Sequence, residues 1–489
     1  MNQYNEPPQG QVAIIGGGIT GLAAAHTLQQ RARQSGTEAR YTLFESSDRL
    51  GGKILTDAQD GFVIEGGPDS FFQQKPWAGE LAQALGLEPE LVGSNPEQRR
   101  LYVVNHGRLT PLPDGMQLIV PTRFMPFIKS PLISWPGKIR MSLEYLIPPR
   151  RGDGDESIAS FVRRRFGGEA LEKIAEPLLS GIHVSDPERQ SLLGTFPRFR
   201  VLEKNYGGLI RGMLAQLRAS GSNGKKSPRS GDAPWKNSAF VTFKGGMGRL
   251  VETLVSSLED GRLRTSCPVV DVQPIPDGGY ELRTVGGESV LADAIVLAAP
   301  AFVSARLVSR FAPKLGHALE AIRYVSTATV SLAYRASDLD RPLDGTGFIV
   351  PRREARAISA CTWSSAKFAG RAPAGSVLLR CFLGGPGHED VVSLDDSRLA
   401  NMARAELADL MGVRAAPVLA RVYRWNKANP QYDVGHLERV KQMYASCAKI
   451  PGLFLAGSAF EGVGIPDCIH QGQQAAEKAL EFISWKLPA

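Results

Sequence analysis

Apolar positions fall into compact blocks at the start of the chain. Residues 11–15 (QVAII) form a short apolar run that ends in glycine, which predicts a buried parallel strand. Residues 20–35 are rich in Ala and Leu, carry Arg31 and Arg33 near the end and meet Gly36, which predicts a helix and its stop. Residues 41–44 predict a second strand that ends at Glu45. The opening is therefore a βαβ unit.

From about 113 to 215 the pattern changes. Helical periods alternate with breaks such as Ile147, Pro148 and Pro149, and Arg pairs and triplets appear at 150–151 and 163–165. This predicts a mainly helical insertion. The triplet Arg163, Arg164 and Arg165 cannot all face one ligand from a helix, so most of it is expected to be solvated surface or a membrane-facing patch. Residues 221–234 (GSNGKKSPRSGDAP) are polar and of low complexity, which predicts a mobile loop over about 219–235.

Beyond it α/β character returns. A helix is predicted at 250–258, a small meander at 269–272, 280–284 and 289–291, and a buried strand at 294–298. Strands at 329–334 and 376–382, a helix near 399–411, a strand at 453–456 and a helix from about 466 to 483 complete the reading. The fold class is α/β, with α+β character over several domains.

A chain of 489 residues, 43% hydrophobic, is long enough for two or three domains. The net charge of +8 suits an anionic ligand or an anionic membrane surface. No Lys/Arg run is interleaved with aromatics, which sets nucleic acid aside. The five cysteines form no CxxC pair and point to a reducing compartment without disulfides or a zinc site. No metal is expected. The N-terminus lacks a signal pattern and no apolar run spans a bilayer, so a cytoplasmic location with at most peripheral membrane contact is expected.

GGGITG at 16–21 contains GxGxxG between the first strand and helix, and Glu45 ends the second strand at the expected distance. Gly16 permits the turn, Gly18 lets backbone approach a pyrophosphate, and Gly21 lets helix and strand pack. The helix N-terminus offers amides and partial positive charge to the phosphates. Glu45 can accept from ribose hydroxyls, and its charge repels a 2′-phosphate. The unit reads as Rossmann-type. Near the C-terminus a strand delivers the chain to a glycine loop at 457–464 that opens a helix, with Pro466 near its first position. That N-terminus can stabilise negative charge on a bound group.

Five stretches together resemble the oxygen-dependent protoporphyrinogen oxidase family, including its bacterial coproporphyrinogen III oxidase branch: RLGGK at 49–53, EGGPDSF at 65–71, FKGGMGRL at 243–250, NPQYDVGH at 429–436 and AGSAFEGVGIPDCI at 456–469. The resemblance implies an amine-oxidase-like fold in three parts. These are an FAD domain from 10–74, 236–303 and 446–487, a mixed-sheet substrate domain from 75–112 and 304–445, and a helical membrane-facing insertion at 113–215. It implies that a porphyrinogen is oxidised to the porphyrin in three two-electron steps. Each passes hydride to flavin N5, and O2 is the acceptor that yields H2O2.

By the same resemblance Gly16, Gly18, Gly21, Glu45, Arg49, Gly51 and Gly52 hold the ADP half of FAD, and Ile19, Thr20, Ser46 and Lys53 also bind the cofactor. Gly66, Gly67, Pro68, Trp425, Gly457, Ser458, Val463, Gly464 and Ile465 lie near the flavin or its linker, and Val270 offers backbone to the adenine. Lys75 follows the EGGPDSF motif and is the candidate cation for a substrate propionate. Gly245 to Gly248 is expected as a loop before a helix that approaches FAD. A homodimer is a further partner expectation.

Departures from the family pattern are His470 in place of an acidic residue, GIHVSDP at 181–187, and Asn426 in place of Pro. His183, His436 and His470 show no ligand spacing and read as structural. Another amine oxidase or carotenoid desaturase of this fold is the enzymatic alternative, and an FAD-containing scaffold the non-enzymatic one. A glutathione-reductase-like enzyme is disfavoured, because neither a redox CxxxxC nor a second NAD fingerprint appears.

Overall fold

The computed structural model describes residues 10–35, 40–222, 234–276 and 278–486. Gly36 and most of the predicted loop, 223–233, lie outside them. Strand Gln11–Ile15 is buried along its whole length. It lies at the centre of a five-stranded sheet whose pairings are all parallel, in the order Leu263–Arg264, Arg40–Phe44, Gln11–Ile15, Ala294–Leu297, Leu453–Leu455. A parallel sheet needs cover on both faces. Val12, Ile14 and Val296 face helices Ile19–Ser35, Gly248–Ser256 and Ile465–Lys486. Ala13, Ile15 and Ile295 face helices Ala301–Val308, Pro313–Glu320 and His436–Cys447.

The first and last helices pack so closely that a Cβ on Gly472 would lie 2.2 Å from the Thr20 carbonyl oxygen. The predicted meander is Val269–Pro274, Tyr280–Thr284 and Ser289–Ala292, paired antiparallel. Ala78, Leu81 and Ala82 of helix Trp77–Ala84 belong to the core beneath the parallel sheet, although the boundary with the substrate domain was expected at residue 75.

A second, seven-stranded sheet runs in the order Leu419–Pro430, Tyr324–Arg335, Ser376–Gly384, Ala360–Trp363, Gly347–Ile349, Leu101–Asn105, Arg108–Pro111. It is mixed, with one parallel pair between Gly347–Ile349 and Leu101–Asn105. Its longest strands join segments far apart in sequence, which alternation alone does not reveal.

Residues 124–222 are mostly helical around their own core, with Phe161 stacked parallel on Phe199 at 6.1 Å between centroids. The last helix, Leu209–Ser222, continues past the expected limit at 215. Here the expectation for the arginine triplet is corrected. Arg163 is exposed and pairs with Glu188, but Arg164 is held by Glu156 and Glu203, and Arg165 is fully buried. Arg165 donates to Glu144 and to the carbonyls of Ile147 and Gly207. Glu144 in turn accepts from the amides of Leu209 and Ile210, which satisfies the start of the last helix. Residues with charge on a short amphipathic helix looked solvated because their partners come from three other segments. No helix among the described residues is long and apolar enough to cross a membrane.

Candidate functional site

The glycine turn at 16–21 is built as its spacing predicts. Gly16 has φ +114° and donates to the Phe44 carbonyl at 2.8 Å. A Cβ on Gly21 would lie 1.9 Å from the Gly16 oxygen, so that position tolerates only glycine. Gly18 is different. A Cβ there would meet nothing nearer than the Gly52 Cα at 4.0 Å. Gly18 thus borders open space at the start of helix Ile19–Ser35, where first-turn amides point outward. The second glycine pair closes the other wall. Gly51 and Gly52 have φ +99° and +58°, and the Gly51 amide donates to the Gly17 carbonyl at 2.8 Å.

Glu45 is fixed at the end of the second strand. Its carboxylate accepts from the Gly17 amide at 2.7 Å and from the Ser47 amide and hydroxyl, both at 2.8 Å. The Ser46 hydroxyl donates to the same carboxylate at 3.1 Å. Arg49 is spent largely on its own loop, donating to the Gly52 carbonyl at 2.5 Å. Val270 stands outward, 55% exposed, beside a bulge in its strand. Links from Cys267 to the Glu45 carbonyl and from Ser266 to the Ser47 carbonyl bring that strand to the same end of the sheet.

From the turn the site continues through residues that are remote in sequence. Thr20 and Ile19 are buried at the helix start. A Cβ on Gly457, whose φ is +133°, would come no nearer than 3.9 Å to the Thr20 hydroxyl. The Lys53 ammonium lies 3.4 Å from the Ser458 hydroxyl, and burial lowers its pKa. A Cβ on Gly67 would strike the Lys53 carbonyl oxygen at 1.7 Å.

The Gly66-Gly67-Pro68 corner is pinned from the substrate sheet. The Gly66 carbonyl accepts from the Trp425 indole at 2.9 Å, the Thr329 hydroxyl at 2.9 Å and Arg380, which also donates to the Gly67 carbonyl. Across from it, Val463 and Gly464 lead into helix Ile465–Lys486. Burial raises the neighbouring Cys468 thiol to about 11, so it is neutral near pH 7.

Thr329, Arg380 and a buried charge set at 65–69 were not foreseen. Glu65 accepts from the Thr56 hydroxyl at 2.6 Å and from the Met247 amide at 2.8 Å, and burial raises its pKa. The Gly245–Gly248 loop is therefore tied to Glu65 and Thr56 at the head of helix Gly248–Ser256. Burial alone would raise Asp69, but Lys367 and Arg380 outweigh it and hold the carboxyl at about 2. The signal for these residues was present only as the EGGPDSF motif, and its cations come from positions without a pattern.

Lys75 lies at this end of the site, with Nζ 2.6 and 2.7 Å from the two Asp467 carboxylate oxygens. Its side chain is 44% exposed, so it is a paired cation at the site's edge. Trp77 stacks on His470 at 4.0 Å. Burial, with Lys75 nearby, lowers His183 to about 4.

The open space at Gly18, the outward amides and the uncrowded Gly457 fit an extended dinucleotide with a flavin at the far end. The comparisons agree. The sequence pattern of the family described as flavin containing amine oxidoreductase matches residues 19–480. The chain belongs to that family. This flavin-containing oxidoreductase is 36% identical to the coproporphyrinogen III oxidase of Bacillus subtilis (strain 168), over 96% of this chain and 98% of the relative. It is 30% identical to protoporphyrinogen oxidase 1 of Spinacia oleracea, a chloroplastic protein, over 96% of this chain and 84% of the relative. A crystal structure from Exiguobacterium sp. 255-15, assigned by name to the protoporphyrinogen oxidases, superposes with a TM-score of 0.84 at 31% identity. That match covers 97% of this chain and all of the other. A mixed α/β flavin amine-oxidase-like fold follows. When bound, the flavin would supply a two-electron acceptor, and the residues of the glycine turns would hold and orient it.

Proposed function

We propose that this flavoenzyme oxidises a porphyrinogen to the porphyrin in haem biosynthesis, with FAD as cofactor and O2 as final acceptor. One observation supports this most. The Lys53–Ser458 contact joins segments 405 residues apart, and it brings the Gly66–Gly67 corner to the glycine loop before the last helix. That arrangement favours FAD chemistry, and the full-length likeness to porphyrinogen oxidases favours this substrate class over an amine or a carotenoid.

The parallel sheet and glycine turn support the Rossmann-type reading of the cofactor half. In that reading Gly16 to Gly21, Glu45 and Gly51 to Lys53 hold the ADP moiety. Gly66 to Pro68, Trp425 and Val463 to Ile465 border the flavin. Val270 faces the adenine. Coproporphyrinogen III is the proposed substrate, since the relative with that name shares 36% identity against 30% for the spinach protein. Lys75, at the site's edge, is the proposed propionate cation, meeting the substrate in exchange for or alongside Asp467.

The helical part is proposed to rest on a cytoplasmic membrane face. Met125, Trp135, Ile139, Tyr145 and Leu146 are exposed there, Leu146 at 70%. Cosedimentation with anionic vesicles, compared between the parent and Trp135→Ser with Leu146→Ser, tests that contact. Equal binding of both would remove it.

The decisive assay measures kcat/KM on coproporphyrinogen III and protoporphyrinogen IX with purified, FAD-loaded protein. Turnover of the former in excess is expected. Turnover of neither, with amine oxidation instead, would replace the substrate assignment.

A further inference from the structure

The loop at 457–464 needs its shape explained. It turns through two glycines with positive φ, Gly457 at +133° and Gly462 at +119°. A glycine-rich loop is conformationally permissive, so something else must select one arc. Two side chains from the NPQYDVGH stretch do so. The Tyr432 hydroxyl accepts from the Gly462 amide at 2.8 Å and donates to the Ser458 carbonyl at 2.8 Å. One hydroxyl thus bridges both sides of the arc. The His436 ring stacks on Tyr432 at 3.8 Å between centroids, and its Nε2 lies 3.0 Å from the Phe460 carbonyl. A carbonyl only accepts, so Nε2 carries the hydrogen. Both side chains are buried, Tyr432 at 3% exposure and His436 at zero.

The pair is itself anchored from the helical part. The Ser191 amide donates to the Tyr432 carbonyl at 2.7 Å, and the Gly435 amide donates to Asp155 at 2.9 Å. Asp433, between them, is held by Arg323 through two bonds of 2.8 Å. Beyond the bridged segment, the amides of Val463, Gly464 and Ile465 have no partner among the described residues. Three backbone groups within five residues are therefore fixed by one stacked pair, immediately before the amides proposed to face the flavin.

We propose that Tyr432 and His436 are positioning residues that hold the 458–462 arc, and through it the aim of the Val463 to Ile465 amides, toward the flavin's negatively charging end. This rests on the flavin reading given above. Amides at a helix N-terminus favour negative charge. Their aim therefore affects a reduced, anionic flavin more than an oxidised one, and the clamp acts on redox potential as well as on affinity.

The test uses FAD-loaded holoenzyme and three variants: Tyr432→Phe, His436→Leu and His436→Gln. Phe keeps the stack and removes the bridging hydroxyl. Gln keeps a donor for the Phe460 carbonyl, and Leu removes it. Tyr432→Phe is expected to weaken FAD binding by about tenfold. A further tenfold loss for the reduced form would lower the two-electron midpoint potential by about 30 mV. His436→Leu is expected to shift both in the same direction, and His436→Gln to return toward the parent.

Parental affinity and potential in both Tyr432→Phe and His436→Leu would overturn the proposal, even if both melt earlier, because a merely structural role moves only the melting. Should Tyr432→Phe not fold, the contrast between Leu and Gln at 436 decides alone. A parent protein that takes up no FAD is a different result, and it removes the flavin reading itself.

Discussion

Two glycines three residues apart separate fold from binding. Gly21 has the Gly16 oxygen 1.9 Å from where a Cβ would be, so Gly21→Ala must distort the turn. A Cβ on Gly18 meets nothing nearer than the Gly52 Cα at 4.0 Å, so a side chain there is expected to enter the open space proposed for the pyrophosphate. Gly18→Val is expected to keep the parent's circular dichroism and melting temperature and to lose FAD. Unchanged flavin content would show that the pyrophosphate lies elsewhere. His436 supplies a second residue-level expectation. An unfolded histidine titrates near 6.5, whereas burial lowers His436 to about 4. Between those values the native state binds fewer protons than the unfolded chain. Its contribution is present in full above about pH 6.5 and is lost as pH falls toward about 4, by up to roughly 3 kcal/mol. Urea unfolding from pH 7 to 4.5 should therefore fall less steeply for His436→Gln than for the parent. Parallel slopes would show that the ring protonates freely in the fold. Lys75→Met keeps most of the stem and deletes the charge. FAD content should be unchanged, while kcat/KM falls about ten- to a hundredfold, the loss of one charge-assisted contact of roughly 1.5–3 kcal/mol. A fall larger for coproporphyrinogen III would place Lys75 on a propionate that protoporphyrinogen IX lacks. Parental kinetics on both substrates would leave Lys75 as the partner of Asp467 alone.

At the scale of elements, legibility followed locality. The strand at 11–15, the helix beginning near 19 and the strand ending at 44 were readable because their signals are apolar runs, a glycine turn and a stop within a few residues. The meander and the strand at 294–297 were readable for the same reason. Arg165 was misjudged because a buried charge is defined by its partners. Glu144 lies 21 residues away, and Gly207 lies 42 away on the other side. That misjudgement carries its own expectation. Arg165 and Glu144 are both fully buried, and Glu144 also satisfies the first amides of helix Leu209–Ser222. Arg165→Met leaves an uncompensated carboxylate in the core of the helical part, which costs about 3–5 kcal/mol. The helical part should unfold at lower temperature, visible as a lowered first transition in calorimetry. Removing both charges together, with Glu144→Gln added, should recover part of the loss. A single variant as stable as the parent would show that the buried pair contributes nothing net.

At the scale of the molecule, the cofactor-binding signals were legible at the two ends of the chain, but not how the middle of the chain packs against them. Trp425 was placed near the flavin by resemblance. In the structure its indole and the Arg380 guanidinium hold one glycine corner from two long strands that flank a third, Tyr324–Arg335. Arg380 lies in no motif, so its part depended on seeing the seven-stranded sheet close over residues 66–67. The surface charge is a property of the same scale. The chain carries +8, and the two candidate porphyrinogens differ by two propionates. A cationic protein attracts the more highly charged substrate from a distance, and that attraction is screened over about 10 Å at about 0.1 M salt. A cation in direct contact with substrate, the role proposed for Lys75, is screened less. Raising salt from about 20 mM to about 200 mM should therefore lower kcat/KM for coproporphyrinogen III more than for protoporphyrinogen IX, by roughly two- to fivefold in the ratio. The kcat values should stay level, because encounter is not part of them. Lys75→Met should lower the whole curve without changing its slope. Equal salt slopes for the two substrates would mean that global charge does not guide encounter, and would leave selection between them to contacts inside the site.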